Sequence, residues 1–253
     1  MILAVMYREY RIRTTSLTWM FYDMFMPITY LLLFGIGINQ AFRGGIVTHG
    51  VTMSYNAFFL SGVLSMACFG IAINTSYGFF VDRDNGIFYE FLTYPMTRGE
   101  FLIGKILFNC LLSLLQSVIT LVLGSFLLGI SLQWENILFV LAGVILGTAG
   151  WFFFLTIFAL RIGRNDMFNA FLNVAYFILM FASSMFYPTD ALPPWLKGAS
   201  YANPLTWHTD ALRFATTGVG TLESVAIEAI AFCLFLLVSF WCAGRTLQHT
   251  IFK

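Results

Sequence analysis

The sequence predicts an all-α integral membrane protein with six transmembrane helices, and three observations carry that prediction. Charged residues make up 10% of the 253-residue chain and hydrophobic residues 59%. An ordinary soluble domain carries about 25% charge, so 13 basic and 12 acidic side chains are too few for the polar skin of a globule this size. Second, six windows lack Asp, Glu, Lys and Arg: Met24–Phe42, Gly44–Val81, Ile106–Trp134, Asn136–Leu160, Met167–Thr189 and Ala229–Gly244. Third, these runs are continuous rather than alternating with period two, which favours spanning helices over a β-barrel. A soluble enzyme, a disordered chain and a basic nucleic-acid binder are disfavoured together.

Taken in order, Met1–Thr18 precedes the first window. Leu3, Met6, Tyr10 and Leu17 share one helical face, Arg8 points away from it, and Arg13 breaks the pattern. Residues 1–18 thus resemble a helix lying in the membrane interface, with Arg8, Arg11 and Arg13 near lipid headgroups. A spanning helix needs about 20 mainly apolar residues, which Met24–Phe42 approaches as an uncleaved anchor. Gly44–Ser54 reads as a polar loop, and the second span follows at roughly Tyr55–Phe80.

Asp82–Lys105 is the most charged stretch. Asp84 or Asn85 can cap a helix start, Ile87, Phe88, Phe91 and Leu92 form one apolar stripe, and Pro95 stops the helix. The stripe needs a groove: the membrane surface, the chain's own spans, or another protein. Gly99–Ile106 nearly matches the phosphate-loop pattern GxxxxGK[ST]. Ile106 replaces the hydroxyl residue and Glu100 would repel phosphate, so the segment is expected to begin the third span. Lys105 is expected to snorkel to the interface.

The third and fourth spans follow, and Gly143-x-x-x-Gly147 with Gly150 offers a small-residue surface in the fourth. RIGRND (161–166) is a tight turn before the fifth span. Residues 188–223 are too patterned for a slack loop. Asp190 can cap a short turn near Pro193, and Asn203-Pro204 gives an N-cap with proline at the first helical position. Gly218 ends that helix, and Asp210 and Arg213 can pair on it. Trp195, Tyr201 and Trp207 suit a membrane interface. Two short helices on, or dipping into, the outer leaflet are expected, and Val225–Ile227 extends the sixth span past Glu228.

With the N-terminus cytoplasmic, ten of the 13 basic residues fall inside: Arg8, Arg11, Arg13, Arg83, Arg98, Lys105, Arg161, Arg164, Arg245 and Lys253. Arg43, Lys197 and Arg213 fall outside. This positive-inside bias places both termini in the cytoplasm. The spans show no mid-membrane ionisable group, and Asn39, Asn74, Asn109, Gln116, Asn169 and Asn173 read as helix–helix hydrogen bonds with some lining of a path. The four cysteines all fall in spans without a CxxC pair, so neither a disulfide framework nor a metal site is expected. No Ser/His or Cys/His pair shares a depth, which leaves an intramembrane enzyme without a nucleophile and base.

Together these parts resemble the membrane-spanning permease subunit of type-2 ATP-binding-cassette (ABC) exporters, over nearly the whole chain as one transmembrane domain, 1–253. Two stretches carry the likeness: Tyr89–Leu107, through Glu90, Pro95, Arg98, Gly104 and Lys105, and Ala191–Arg213, through Leu192, Pro193, Asn203, Pro204 and Arg213. The resemblance implies a permease, a homodimer or a heterodimer with a similar permease, in the cell membrane of a prokaryote. Two cytoplasmic ABC ATPase subunits would bind ATP and Mg, with no cofactor in this chain and no nucleic-acid partner. The loop 82–98 would hold the helix coupling it to the ATPase, through Ile87, Phe88, Glu90, Phe91, Leu92 and Arg98. An amphipathic, lipid- or glycan-containing substrate or a drug would move outward along a path lined by Tyr30, Phe34, Phe58, Phe59, Tyr176 and Met180. An ion-driven carrier or channel, an ABC-related assembly or signalling subunit, and an intramembrane enzyme are the alternatives.

Overall fold

A computed structural model describes residues 1–15, 17–41, 44–48, 50–91 and 93–250. Leu92, Arg43, His49 and Lys253, to which the sequence reading gives places, lie outside the described residues. The chain is helical nearly throughout. Helix α1 is Ile2–Thr15, α2 Leu17–Ala41, α3 Tyr55–Asp84, α4 Ile87–Phe91, α5 Arg98–Leu128, α6 Ile137–Arg161, α7 Asn165–Phe181, α8 Pro194–Tyr201, α9 Pro204–Thr217 and α10 Leu222–Thr250. The predicted polar loop after α2 contains a short antiparallel hairpin, β1 (Ile46–Thr48) and β2 (Val51–Met53), in the register Ile46↔Met53.

Among the described residues, five helices (α2, α3, α5, α6 and α10) are long and apolar enough to cross a membrane. The fifth predicted span is the exception. Its helix α7 has 17 residues, about 26 Å at 1.5 Å per residue, short of the ~30 Å core. Ala182 ends α7, Ser183 turns its hydroxyl back to the Met180 carbonyl at 2.7 Å, and an irregular stretch leads to Pro188. The window free of charge is therefore longer than the helix it contains. The third window departs similarly, because Gly129 at φ 63 closes α5 before Trp134.

Helix α3 is the axis of the bundle and packs against α2, α5, α6 and α9. Its stretch Phe58–Phe69 is buried almost without interruption. Ser54 caps its start through the Ala57 amide at 3.3 Å. It runs four residues past Phe80, so Asp84 and Asn85 close this helix instead of opening the next. Gly86, at φ 78, then turns the chain into α4. Arg83, also in the last turn of α3, donates to the carbonyl of Ala159 and, at 2.8 Å, to that of Ile162, which satisfies open carbonyls at the end of α6. The near phosphate-loop segment is helical as expected: Thr97 and Glu100 form a reciprocal capping box at the start of α5.

The seat of α1 explains Gly104. A Cβ at this position would lie 2.9 Å from Val5 Cβ and 3.0 Å from the Ile2 carbonyl oxygen. Val5 is 1% exposed, whereas Leu3 and Tyr10, assigned to the apolar face, are 76% and 45% exposed. The buried face of α1 is thus the one carrying Val5 and Glu9. Gly104→Val is expected to unseat α1 from α5, read as faster amide exchange confined to residues 2–15; unchanged exchange there would refute the close packing.

Candidate functional site

Among the described residues, three polar assemblies stand out in the bundle. The first joins α1, α3 and α5. Lys105 Nζ donates to Glu9 Oε1 at 2.9 Å and to Asp82 Oδ2 at 2.7 Å. Arg8 donates to Asp82 through both terminal nitrogens, Nη1 at 2.9 Å, and lies over the Phe91 ring at 5.4 Å. Two cations therefore meet two carboxylates, with Lys105 1% exposed. This corrects the expectation for Lys105: with two acceptors within reach inside the bundle, it has no reason to snorkel. Burial works against the Arg8 cation, but the hydrogen bond and the attraction of Asp82 and Glu9 outweigh it and hold its pKa above the ordinary value. Arg11 alone of the three predicted interfacial arginines is exposed.

The elbow α4 sits beside this cluster. Phe88 is 1% exposed and packs on Phe79 and Phe101; Phe91, half-buried, also meets Phe101. Phe88 and Phe91 of the apolar stripe are therefore packed on the chain's own spans, one of the three grooves the sequence left open. Tyr89, Glu90 and Tyr94 are exposed, Ile87 is half-buried, and Arg98 is the half-buried first residue of α5. An outward-facing contact at α4 falls to Tyr89, Glu90 and Tyr94, and of these the sequence reading named Glu90 alone.

The second assembly is a cavity of about 680 Å³ between α2, α3 and α7. Tyr30 and Tyr176, two of the six candidate path residues, line it. Phe34, Phe58, Phe59 and Met180 are not among its lining residues. Phe58 and Phe59 are fully buried and Met180 is 2% exposed, while Phe34 is half-buried and stacks on Tyr30. Aromatic residues at helical spacing proved here to be packing. The polar lining is Asp23, Asn74, Asn169 and Asn173 with Tyr77. Arg13 Nη1 holds Asp23 at 2.9 Å, Asn74 Nδ2 donates to its other oxygen, and Gln116 Nε2 donates to its backbone carbonyl at 2.6 Å.

The third assembly is α9. Asn203 caps it by accepting from the Leu205 amide at 2.9 Å, and Pro204 occupies its first turn, as expected. Asn203 also donates to the Leu179 carbonyl at 2.7 Å. Pro193, not Asp190, precedes α8; Asp190 accepts from Lys197 at 3.3 Å. Trp195 is 75% exposed, and Leu192 is half-buried. Far from lying on a surface, α9 is buried by α3, α6 and α10. Arg213 is 2% exposed, ion-paired with Asp210, bonded to the Ser184 carbonyl at 2.8 Å and 3.9 Å from the Phe58 ring centroid. Ser184 in turn donates to Asp210 at 2.7 Å. The sequence reading found no mid-membrane ionisable group; the fold buries His208, Asp210 and Arg213 within the bundle. The glycine pair in α6 is their seat. A Cβ on Gly143 would meet Leu212 at 2.8 Å and one on Gly147 would meet His208 Nε2 at 2.2 Å.

The sequence matches the ABC-2 type transporter family over residues 2–216. The chain belongs to the ABC-2 type transporter family. It is 27% identical over 237 residues to a protein of Cyanophora paradoxa named as a transport permease, ycf38, covering 90% of this chain and 80% of that one. It is 24% identical to the daunorubicin resistance ABC transporter permease protein DrrB1 of Streptomyces coeruleorubidus, covering 80% of this chain and 70% of that one. It is 26% identical to a protein named as a multidrug ABC transporter permease, YbhR, of Escherichia coli K12, with 62% and 43% covered. The ABC-2 permease is thus a multi-pass membrane subunit that works with ABC ATPase components.

Proposed function

We propose that this ABC-2 permease is an exporter subunit. It moves an amphipathic substrate, lipid- or glycan-containing or a drug, outward across the cell membrane of a prokaryote, with both termini cytoplasmic. It pairs with a second copy of itself and with two cytoplasmic ATPase subunits, which supply ATP and Mg; this chain performs no catalysis. In this reading α7 is the fifth of six spans, completed in depth by the stretch before Pro188 and the sheltered α9. The observation that carries the reading is the cavity, which combines tyrosine walls with asparagine carboxamides, a lining suited to an amphiphile. Asp23, Asn74 and Asn169 all lie nearer the helix ends that carry α1 and α4, so loading is from the cytoplasmic side. The multidrug and daunorubicin-resistance names of two relatives support an amphipathic cargo.

Coupling falls to the exposed face of α4. The buried Phe88 anchors the elbow to α3 and α5, and the Arg8–Phe91 contact ties it to α1, so a push on α4 reaches three helices. Co-purification with a cytoplasmic ABC ATPase, and hydrolysis stimulated by an amphiphile, tests the reading; a permease that transports with no ATPase would overturn it. Glu90→Arg is expected to weaken ATPase capture by about tenfold or more, about 1.4 kcal/mol, with thermal stability unchanged because Glu90 is exposed. Equal capture by wild type and variant would refute a coupling role for this face.

A further inference from the structure

The cavity contains a carboxylate that it does not present as a free charge. Asp23 is the one carboxylate among the described lining residues, which include no Lys, Arg or His. Its oxygens are taken up by Arg13 at 2.9 Å and by Asn74, and the Asp23 and Arg13 side chains are 9% and 11% exposed. Arg13 comes from α1, outside the three helices that wall the cavity. A lone carboxylate in low-dielectric surroundings attracts a cation strongly. Joined to a guanidinium at contact distance it becomes a dipole, whose pull on a cation in the cavity falls off much faster. What remains for a ligand is neutral. Asn169 donates to Asn165 Oδ1 at 3.0 Å and Asn173 to the Asn169 carbonyl at 2.8 Å. Each therefore spends an amide hydrogen on its own helix and keeps its carboxamide oxygen as an acceptor. Beside them stand Tyr77 and Tyr176, with ring faces for apolar or sugar-ring contact.

We infer that Arg13 sets the charge selectivity of this cavity: by neutralising Asp23 it fits the site to an uncharged, hydroxyl- or amide-bearing headgroup and against a cationic one. The inference rests on the reading of the cavity as a substrate site. It makes Arg13 a positioning and charge-masking residue that need not touch the ligand. The same device explains why an interfacial helix reaches into the bundle at Asp23.

The test uses the full-length permease in phosphatidylcholine nanodiscs without ATPase, with radiolabelled octyl glucoside as neutral probe and tetraphenylphosphonium as permanent cation. Wild type is expected to bind the glucoside saturably and the cation not at all. Arg13→Gln is expected to gain at least tenfold in cation association, about 1.4 kcal/mol, while still binding the glucoside. The double variant Arg13→Gln/Asp23→Asn should lose the gain. Asn173→Asp places a carboxylate in the lining on α7, outside the Arg13–Asp23–Asn74 contacts, and should produce the gain by a separate route, which keeps the test decisive if Arg13→Gln does not fold. Equal cation binding by wild type and the single variants, a gain that survives in the double variant, or no saturable binding of the glucoside by wild type would each overturn the inference. Because no ATPase is present, failure of ATPase association refutes the exporter reading without altering this result.

Discussion

Lys105→Met is expected to destabilise the permease by about 3–5 kcal/mol, the usual consequence of removing one partner of a buried ion pair. Methionine preserves most of the volume, so the effect isolates charge. Glu9 and Asp82, both nearly buried, would then face each other with Arg8 alone to compensate them, and Arg8 reaches Glu9 only at 3.2 Å. The expected readout is a large fall in the melting temperature of the purified permease. Adding Glu9→Gln should restore part of it, because the surplus carboxylate is gone. The exposed pair Arg164–Asp166, with side chains 72% and 65% exposed, supplies the contrast: Arg164→Ala should shift stability by less than about 1 kcal/mol. A Lys105→Met protein as stable as wild type would show that the cluster contributes no net stability.

Gly147→Val is expected to have a comparable effect at the other end of the bundle, about 3 kcal/mol or more, at the upper end of overpacking costs. The added Cβ would stand 2.2 Å from His208 Nε2, and His208 has little freedom to withdraw. It is 2% exposed, stacked on Phe232 at 4.9 Å, and 3.1 Å from the Gly143 carbonyl oxygen. Helix α9 must therefore shift as a body, and the Asp210–Arg213–Ser184 contacts shift with it. Shortening the obstructing side chain in Gly147→Val/His208→Ala should recover more than about 1 kcal/mol of the loss as a coupling energy. Strict additivity of the two substitutions would refute the direct contact.

The local punctuation was readable in advance. Asn203-Pro204 and Gly218 bound α9 because capping depends on neighbours in sequence, and the charge-free windows located the long helices because lipid tolerates few charges. What escaped reading depends on distance along the chain. Glu9 and Lys105 are 96 residues apart, and no local pattern announces that one will neutralise the other inside the bundle. The sequence puts the helices of residues 188–223 on, or dipping into, the outer leaflet; that α9 is buried follows from Asp210 and Arg213 satisfying each other and Ser184, which lowers the cost of burying them. Gly143 and Gly147 signalled a close approach without saying that α9 makes it. The cavity was half legible. Tyr30 and Tyr176 stand among the candidate path residues, and Asn74, Asn169 and Asn173 read as hydrogen-bonding groups with some lining of a path; what the sequence leaves unjoined is that Asn169, Asn173 and Tyr176, at i, i+4 and i+7, form one polar stripe on a short helix. Phe58 and Phe59 show the converse: an aromatic side chain fills a core as readily as it lines a path.

Helix α3 has a mechanical consequence. Its 30 residues make an unbroken rod of about 45 Å with no proline within it. One tip carries Asp82, held by Arg8 and Lys105; near the other, Phe58 supports the Arg213 guanidinium, and Met185 sits so tightly on Gly62 that a Cβ there would come within 2.4 Å of Met185 Cγ. A rod of this length pivoting by about 5° around its middle carries each tip about 2 Å in opposite directions. That travel exceeds the slack in any of these contacts. A push at the elbow that tilted α3 in this way would move the support of the buried arginine by a similar amount in the opposite sense.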